Sequence, residues 1–243
     1  MLDYAIGAAV AMAAGAVAAM TGFGIGSLLT PVLALTVDTR VAVAAVSIPH
    51  VIGTAVRFAL LRGRIDRRVL LSFGLTSAAG GLAGASLYEV ASSRSLNVVF
   101  GGLLLFAAIS EATGLARRMR FRGWMAWAAG ATSGLLGGLV GNQGGIRSAA
   151  LIGFNLPKET FVATATAIAL FVDGARLPIY LASQHDELLS LSPWIFAATI
   201  GVTSGTLVGS RALKRVPDVW FRRILAVTLA TLGALMVSRA FRS

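Results

Sequence analysis

Long apolar runs follow one another from about position 4 to 239, separated only by short polar or basic breaks. That pattern restricts the fold more than any other feature of the chain. Charged residues make up 13% of the 243 positions, whereas a soluble domain carries about 25%, so the chain lacks the polar surface a water-facing fold requires. At about 20 apolar residues per helical span, the length accommodates an all-α polytopic membrane protein with no separate soluble domain. We therefore read residues 1–243 as a single transmembrane domain. The sequence contains no cysteine, which excludes disulfide and thiolate chemistry, and its two histidines, His50 and His185, have no metal-ligand spacing. Neither a metal nor another cofactor is expected. The start MLDYAIGAAV lacks the basic opening of a signal peptide and is read as retained structure.

The net charge of +11 resides largely in arginines at the ends of apolar runs. This is the positive-inside signature, with attraction to anionic membrane lipid as a secondary effect, and not a nucleic-acid surface. A first run, about 4–37, is broken at 21–26 (TGFGIG), and a second, about 124–156, at 141–145 (GNQGG). Unbroken runs lie near 41–61, 69–88, 96–116, 160–182, 192–210 and 220–239. The order is therefore one broken run and three helices, twice over. A shift of 119 positions aligns 15–57 with 134–176 without a gap, matching Gly22 with Gly141, Gly26 with Gly145 and Arg57 with Arg176. Repeat one spans about 4–116 and repeat two about 124–239.

Each broken run has about 33 residues, too many for one span and too few for two. Glycine frees the backbone at the break, and the freed N–H and C=O groups must face protein or a wet cavity rather than lipid. A re-entrant hairpin of two short helices satisfies this; the alternative is one span followed by a surface helix. Loop charge separates the two. The loop 62–68 (RGRIDRR) sums to +3 and the linker 117–123 (RRMRFRG) to +4, whereas 184–187 (QHDE), the counterpart of the first loop, sums to −2. The loop 88–95 is neutral, and its counterpart 211–218 (RALKRVPD) is +2. The bias changes sides between the copies, as it must if each has three true spans and the repeats are inverted. The basic tail at Arg239 and Arg242 runs mildly against this layout.

Inverted repeats with broken helices are a transporter architecture in which substrate sits where the repeats meet, and half-helix N-termini favour a small anion. Two such N-termini follow the breaks, at 24–27 and 144–148. The duplicated segments GAVAAMTGFGIGSLLTPVL (15–33) and GLLGGLVGNQGGIRSAALIGF (134–154) resemble those of the sulfite exporter TauE/SafE family, and the resemblance covers essentially the whole chain. Gly22, Phe23, Gly24, Gly26 and Pro31 match the family pattern in the first copy. The second copy departs from it: Asn142, Gln143 and Arg147 are more polar than usual, and Ala150 replaces a proline. The resemblance implies a secondary transporter of sulfite, organosulfonates or related small anions in the cytoplasmic (inner) membrane, driven by an ion gradient such as protons or sodium. A passive anion channel and a carrier of a non-sulfur organic anion are the alternatives.

Arg147 is the leading substrate-binding candidate. It lies just beyond the second break, in apolar surroundings where a charge is costly, and a guanidinium suits an oxyanion. Its other reading is a reach to headgroups or a carboxylate partner. Asn142, Gln143, Gly144 and Gly145 in the second break, and Thr21, Gly22, Gly24, Gly26 and Ser27 in the first, are candidates to contact the same anion. The polar side chains among them could instead satisfy the backbone. Asp173 and Arg176 share a helix face, as an ion pair or a coupling element. His50 is read as a hydrogen-bonded structural residue or a proton relay. Arg57, the repeat counterpart of Arg176 and five residues before Arg62, is expected to snorkel to the interface, with a coupling or gating role as the alternative. Gly80 with Gly84, and Gly201 with Gly205 and Gly209, have the four-residue spacing of close helix packing, within the chain or in a homodimer. No Walker motif is present, and His50 is the only histidine placed in the membrane, so neither an ATP-driven pump nor an intramembrane enzyme is expected.

Overall fold

The computed structural model describes residues 4–22, 24–115, 123–141, 144–212 and 218–241, and these are helical almost throughout, with no strand among them. The first half comprises α1 (Tyr4–Thr21), α2 (Ile25–Ala34), α3 (Thr39–Leu61), α4 (Arg67–Val90, with one π-helical turn at Leu70–Gly74) and α5 (Ser93–Thr113). The second comprises α6 (Trp124–Val140), α7 (Gly144–Ile152), α8 (Lys158–Ser183), the short α9 (His185–Ser190), α10 (Ser192–Ala212) and α11 (Asp218–Ala240). Both breaks fall where the glycines predict. The linker 117–123 lies outside the described residues except for Gly123, as do positions 213–217 of the second basic loop.

Among the described residues, six helices are long and apolar enough to cross a membrane: Tyr4–Thr21, Thr39–Arg64, Arg67–Val90, Ser93–Thr113, Glu159–Ser183 and Arg223–Ala240. Five of them occupy expected runs. The sixth is α1, the first arm of the first broken run. The helix in the expected run 192–210 carries Thr199, Thr203, Ser204, Thr206 and Ser210 and is not among the six. The arms of each broken run are also unequal. α1 and α6 have 18 and 17 residues, α2 and α7 only 10 and 9. At 1.5 Å per residue the long arms reach about 26 Å and the short arms about 14 Å, so two equally short helices are not what the chain forms.

α3 and α8, which correspond under the shift of 119, lie side by side and run antiparallel. His50, Arg57 and Arg64, each seven residues after the last, meet Asp173, Thr166 and Glu159, each seven residues before the last. Seven residues are two helical turns, so all six positions lie along one seam. The start of α3 is fixed to the α4–α5 junction. Asp38 caps α3 by accepting from the Arg40 N–H at 2.8 Å and also accepts from Ser93 Oγ at 2.8 Å. Arg40 donates to the Tyr88 carbonyl and the Tyr88 hydroxyl donates back to the Arg40 carbonyl, each at 2.9 Å.

Around this seam, α1 packs along α10 and α6 along α4, so each long arm is embraced by the other half. Glycine makes these contacts close. A Cβ at Gly80 or Gly84 would lie 2.2 or 2.0 Å from the carbonyls of Ala131 or Leu135, and one at Gly201 or Gly205 2.4 or 1.9 Å from those of Ala8 or Met12. The small-residue stripes thus serve helix packing within one chain.

Candidate functional site

The two breaks are built alike. Gly22 and Gly141, matched by the shift of 119, both adopt left-handed backbone (φ 83° and 73°), a conformation that only glycine takes without strain. The Gly22 N–H donates to the Ala18 carbonyl at 2.9 Å, and the Gly141 N–H to the equivalent Gly137 carbonyl at 3.0 Å. Each of these carbonyls also accepts from an arginine: Ala18 from Arg57 Nη1 at 2.5 Å and Gly137 from Arg176 Nη1 at 2.9 Å. The breaks touch, because a Cβ at Gly26 would lie 2.5 Å from the Gly141 carbonyl oxygen and 4.0 Å from His50 Cδ2.

Around this crossing lie five ionisable side chains that the sequence singled out. Arg57, Arg147, Asp173 and Arg176 are each no more than 3% exposed, and His50 is 9% exposed. Asp173 is shared: its Oδ1 accepts from Arg176 Nε and Nη2 at 2.9 and 2.8 Å, and its Oδ2 lies 2.9 Å from His50 Nδ1. The expected ion pair and the expected histidine hydrogen bond are therefore one network.

Arg147 is buried on α7. Its Nη2 donates to the Gly22 carbonyl at 3.1 Å, while Nε and Nη1 have no hydrogen-bond partner among the described residues. Neither a headgroup reach nor a carboxylate partner describes it. A buried guanidinium with two orphan nitrogens is costly unless something else satisfies it.

Arg57 corrects its sequence reading. It does not snorkel; it is 3% exposed and turned inward, with Nε donating to Thr166 Oγ1 at 2.8 Å and Nη1 to Ala18. The reason is that α8 supplies a buried hydroxyl, and the Ala18 carbonyl, which already accepts from the Gly22 N–H, accepts a second bond from the guanidinium.

Among the weaker candidates, Thr21 Oγ1 bonds its own helix at the Val17 carbonyl, 3.0 Å away, and Ser27 is buried near the start of α2. Gly24 precedes α2 with φ 134°, and Gly144 opens α7. Gly145 lies one residue further along α7, while Asn142, Gln143 and Phe23 lie outside the described residues. Sequence reasoning missed Thr166, Thr54, Ser148 and Tyr180. Thr54 and Ser148 have buried hydroxyl oxygens without a partner among the described residues, and the Tyr180 hydroxyl donates to the Gly138 carbonyl. The signal for Thr54 was present, because the shift that pairs Arg57 with Arg176 also pairs Thr54 with Asp173.

The residue pattern thus combines a helical membrane bundle, two glycine breaks in contact and an excess of buried guanidinium groups beside them. The sequence pattern described as Sulfite exporter TauE/SafE matches residues 7–236. No curated protein and no solved structure matches the chain. That match covers nearly the whole length and coincides with the helices and breaks just described, so the chain is a multi-pass integral membrane protein belonging to the sulfite exporter TauE/SafE family of membrane anion transporters.

Proposed function

We propose that the protein is a secondary transporter that moves small sulfur-containing anions, such as sulfite or organosulfonates, across the cytoplasmic membrane. The anion is held between the two broken runs. One observation carries this reading: Arg147 is buried where the breaks meet, anchored by one bond to the opposite repeat at Gly22, and has two guanidinium nitrogens unsatisfied. A small oxyanion supplies the missing acceptors and the missing charge.

The repeats are read as inverted and each broken run as re-entrant. Support comes from the antiparallel run of the equivalent helices α3 and α8, and from the basic loop end at Arg64 lying beside Glu159 at the start of α8. This fits a layout in which α8 begins on the side where α3 ends. In this layout Arg57 and Arg176 hold the breaks in shape. Asp173 and His50 carry the coupling proton, since His50 is the most accessible member of the buried network and contacts the carboxylate directly.

The test is flux of labelled sulfite into proteoliposomes. Arg147→Ala should abolish it, and counterflow exchange should persist without a net gradient in the wild type, as a carrier requires. Undiminished flux in Arg147→Ala removes the site; flux without counterflow turns the carrier into a channel.

A further inference from the structure

The buried charge at the crossing of the breaks does not balance. The buried charged side chains among the described residues are Arg57, Arg147, Arg176 and Asp173, with His50 beside them. Asp173 neutralises Arg176, from which it accepts a hydrogen bond at Nε and with which it forms an ion pair through Nη2. Arg57 has no such partner. Three residues before it, where the second repeat carries Asp173, the first carries Thr54, whose hydroxyl is fully buried and has no partner among the described residues. Among the described residues Arg147 also has no carboxylate bonded to it, and its one hydrogen bond goes to a carbonyl.

The two uncompensated cations are drawn to one residue. Arg57 donates to the Ala18 carbonyl that also receives the Gly22 N–H, and Arg147 donates to the Gly22 carbonyl. Guanidinium groups keep their charge even when buried, and carbonyl dipoles offset only part of it. With His50 neutral, an excess of two positive charges is held around a single glycine in low-dielectric surroundings. Protonation of His50 would raise the excess further.

We propose, resting on the reading of this crossing as the anion site, that the site selects a small divalent oxyanion over a monovalent one of the same shape. A doubly charged ligand cancels the excess of Arg57 and Arg147, whereas a singly charged one leaves one cation uncompensated.

The experiment compares sulfate with methanesulfonate, in which a methyl group replaces one oxygen and one charge. Binding to the purified full chain is measured by calorimetry at constant ionic strength. Sulfate should bind at least about tenfold more tightly. Thr54→Asp, which gives Arg57 the carboxylate that Arg176 already has, should cut that preference by about tenfold, and Thr54→Asn should leave it in place. If Thr54→Asp does not fold, the wild-type ratio decides alone. Equal or tighter binding of methanesulfonate, or no binding of sulfate, overturns the inference. The Arg147→Ala flux measurement then distinguishes the cases: if flux still depends on Arg147, the anion site stands and only its charge preference falls.

Discussion

Arg57 and Arg176, 119 positions apart, make the same bond: each donates Nη1 to the carbonyl four residues before the left-handed glycine of its own repeat's break. They differ in what their Nε meets, the neutral Thr166 hydroxyl for Arg57 and the Asp173 carboxylate for Arg176.

That difference predicts unequal costs of removal. Arg176→Ala takes the guanidinium from a buried carboxylate, leaving His50 beside it, and should destabilise the protein by about 3–5 kcal/mol. Arg57→Ala removes hydrogen bonds to neutral partners and should cost less, about 1–3 kcal/mol. Thermal unfolding midpoints in one detergent rank the two; an equal or reversed order would contradict the assigned partners.

The break glycines should respond as a pair. Gly22→Ala and Gly141→Ala each force a side chain into left-handed backbone, at about 1–2 kcal/mol. The control Gly63→Ala, where a Cβ meets nothing within 4 Å, should be neutral or nearly so. The unfolding midpoint again reads the outcome, and a silent Gly141→Ala would deny the shared geometry.

The packing stripes predict a steric result. Gly84→Val and Gly205→Val drive side chains into the backbones of α6 and α1 and should lower stability by at least about 1–3 kcal/mol. Gly102→Val, with open space at its Cβ, should not. The fraction of monodisperse protein after detergent extraction, measured by size-exclusion chromatography, reports the difference.

Membrane sidedness can be read with thiol reagents, because the chain has no cysteine. A single cysteine at Arg64 should label from the cytoplasmic side, and one at Gln184 or Ser93 from the opposite side. Labelling of Gln184→Cys from the cytoplasm would refute the inverted arrangement.

Coupling is tested at His50. His50→Gln retains a polar group near Asp173 but cannot carry a proton. It should abolish flux driven by a proton gradient while counterflow exchange continues. Gradient-driven flux at the wild-type rate would assign the coupling elsewhere.

Much of this was legible in the residues. Scarcity of charge placed the chain in the membrane, and glycine clusters located both breaks to within a residue or two, because backbone freedom is a local property. The repeat shift matched Gly22 with Gly141 and Arg57 with Arg176, and both pairs proved alike in conformation or bonding. Spacing on one helix was enough to pair Asp173 with Arg176.

Tertiary structure decided the rest. The antiparallel register of α3 against α8 joins His50 to Asp173 and Arg57 to Thr166 across more than 100 positions, contacts set by how whole helices pack rather than by neighbouring residues. It also turned Arg57 inward. The sequence offered Arg57 a nearby interface, and only the folded chain brings the buried Thr166 hydroxyl and the Ala18 carbonyl within hydrogen-bonding reach. The unbalanced charge at the site follows from the same packing. The sequence contains the arginines, but three-dimensional placement alone determines which of them meets a carboxylate and which, among the described residues, does not.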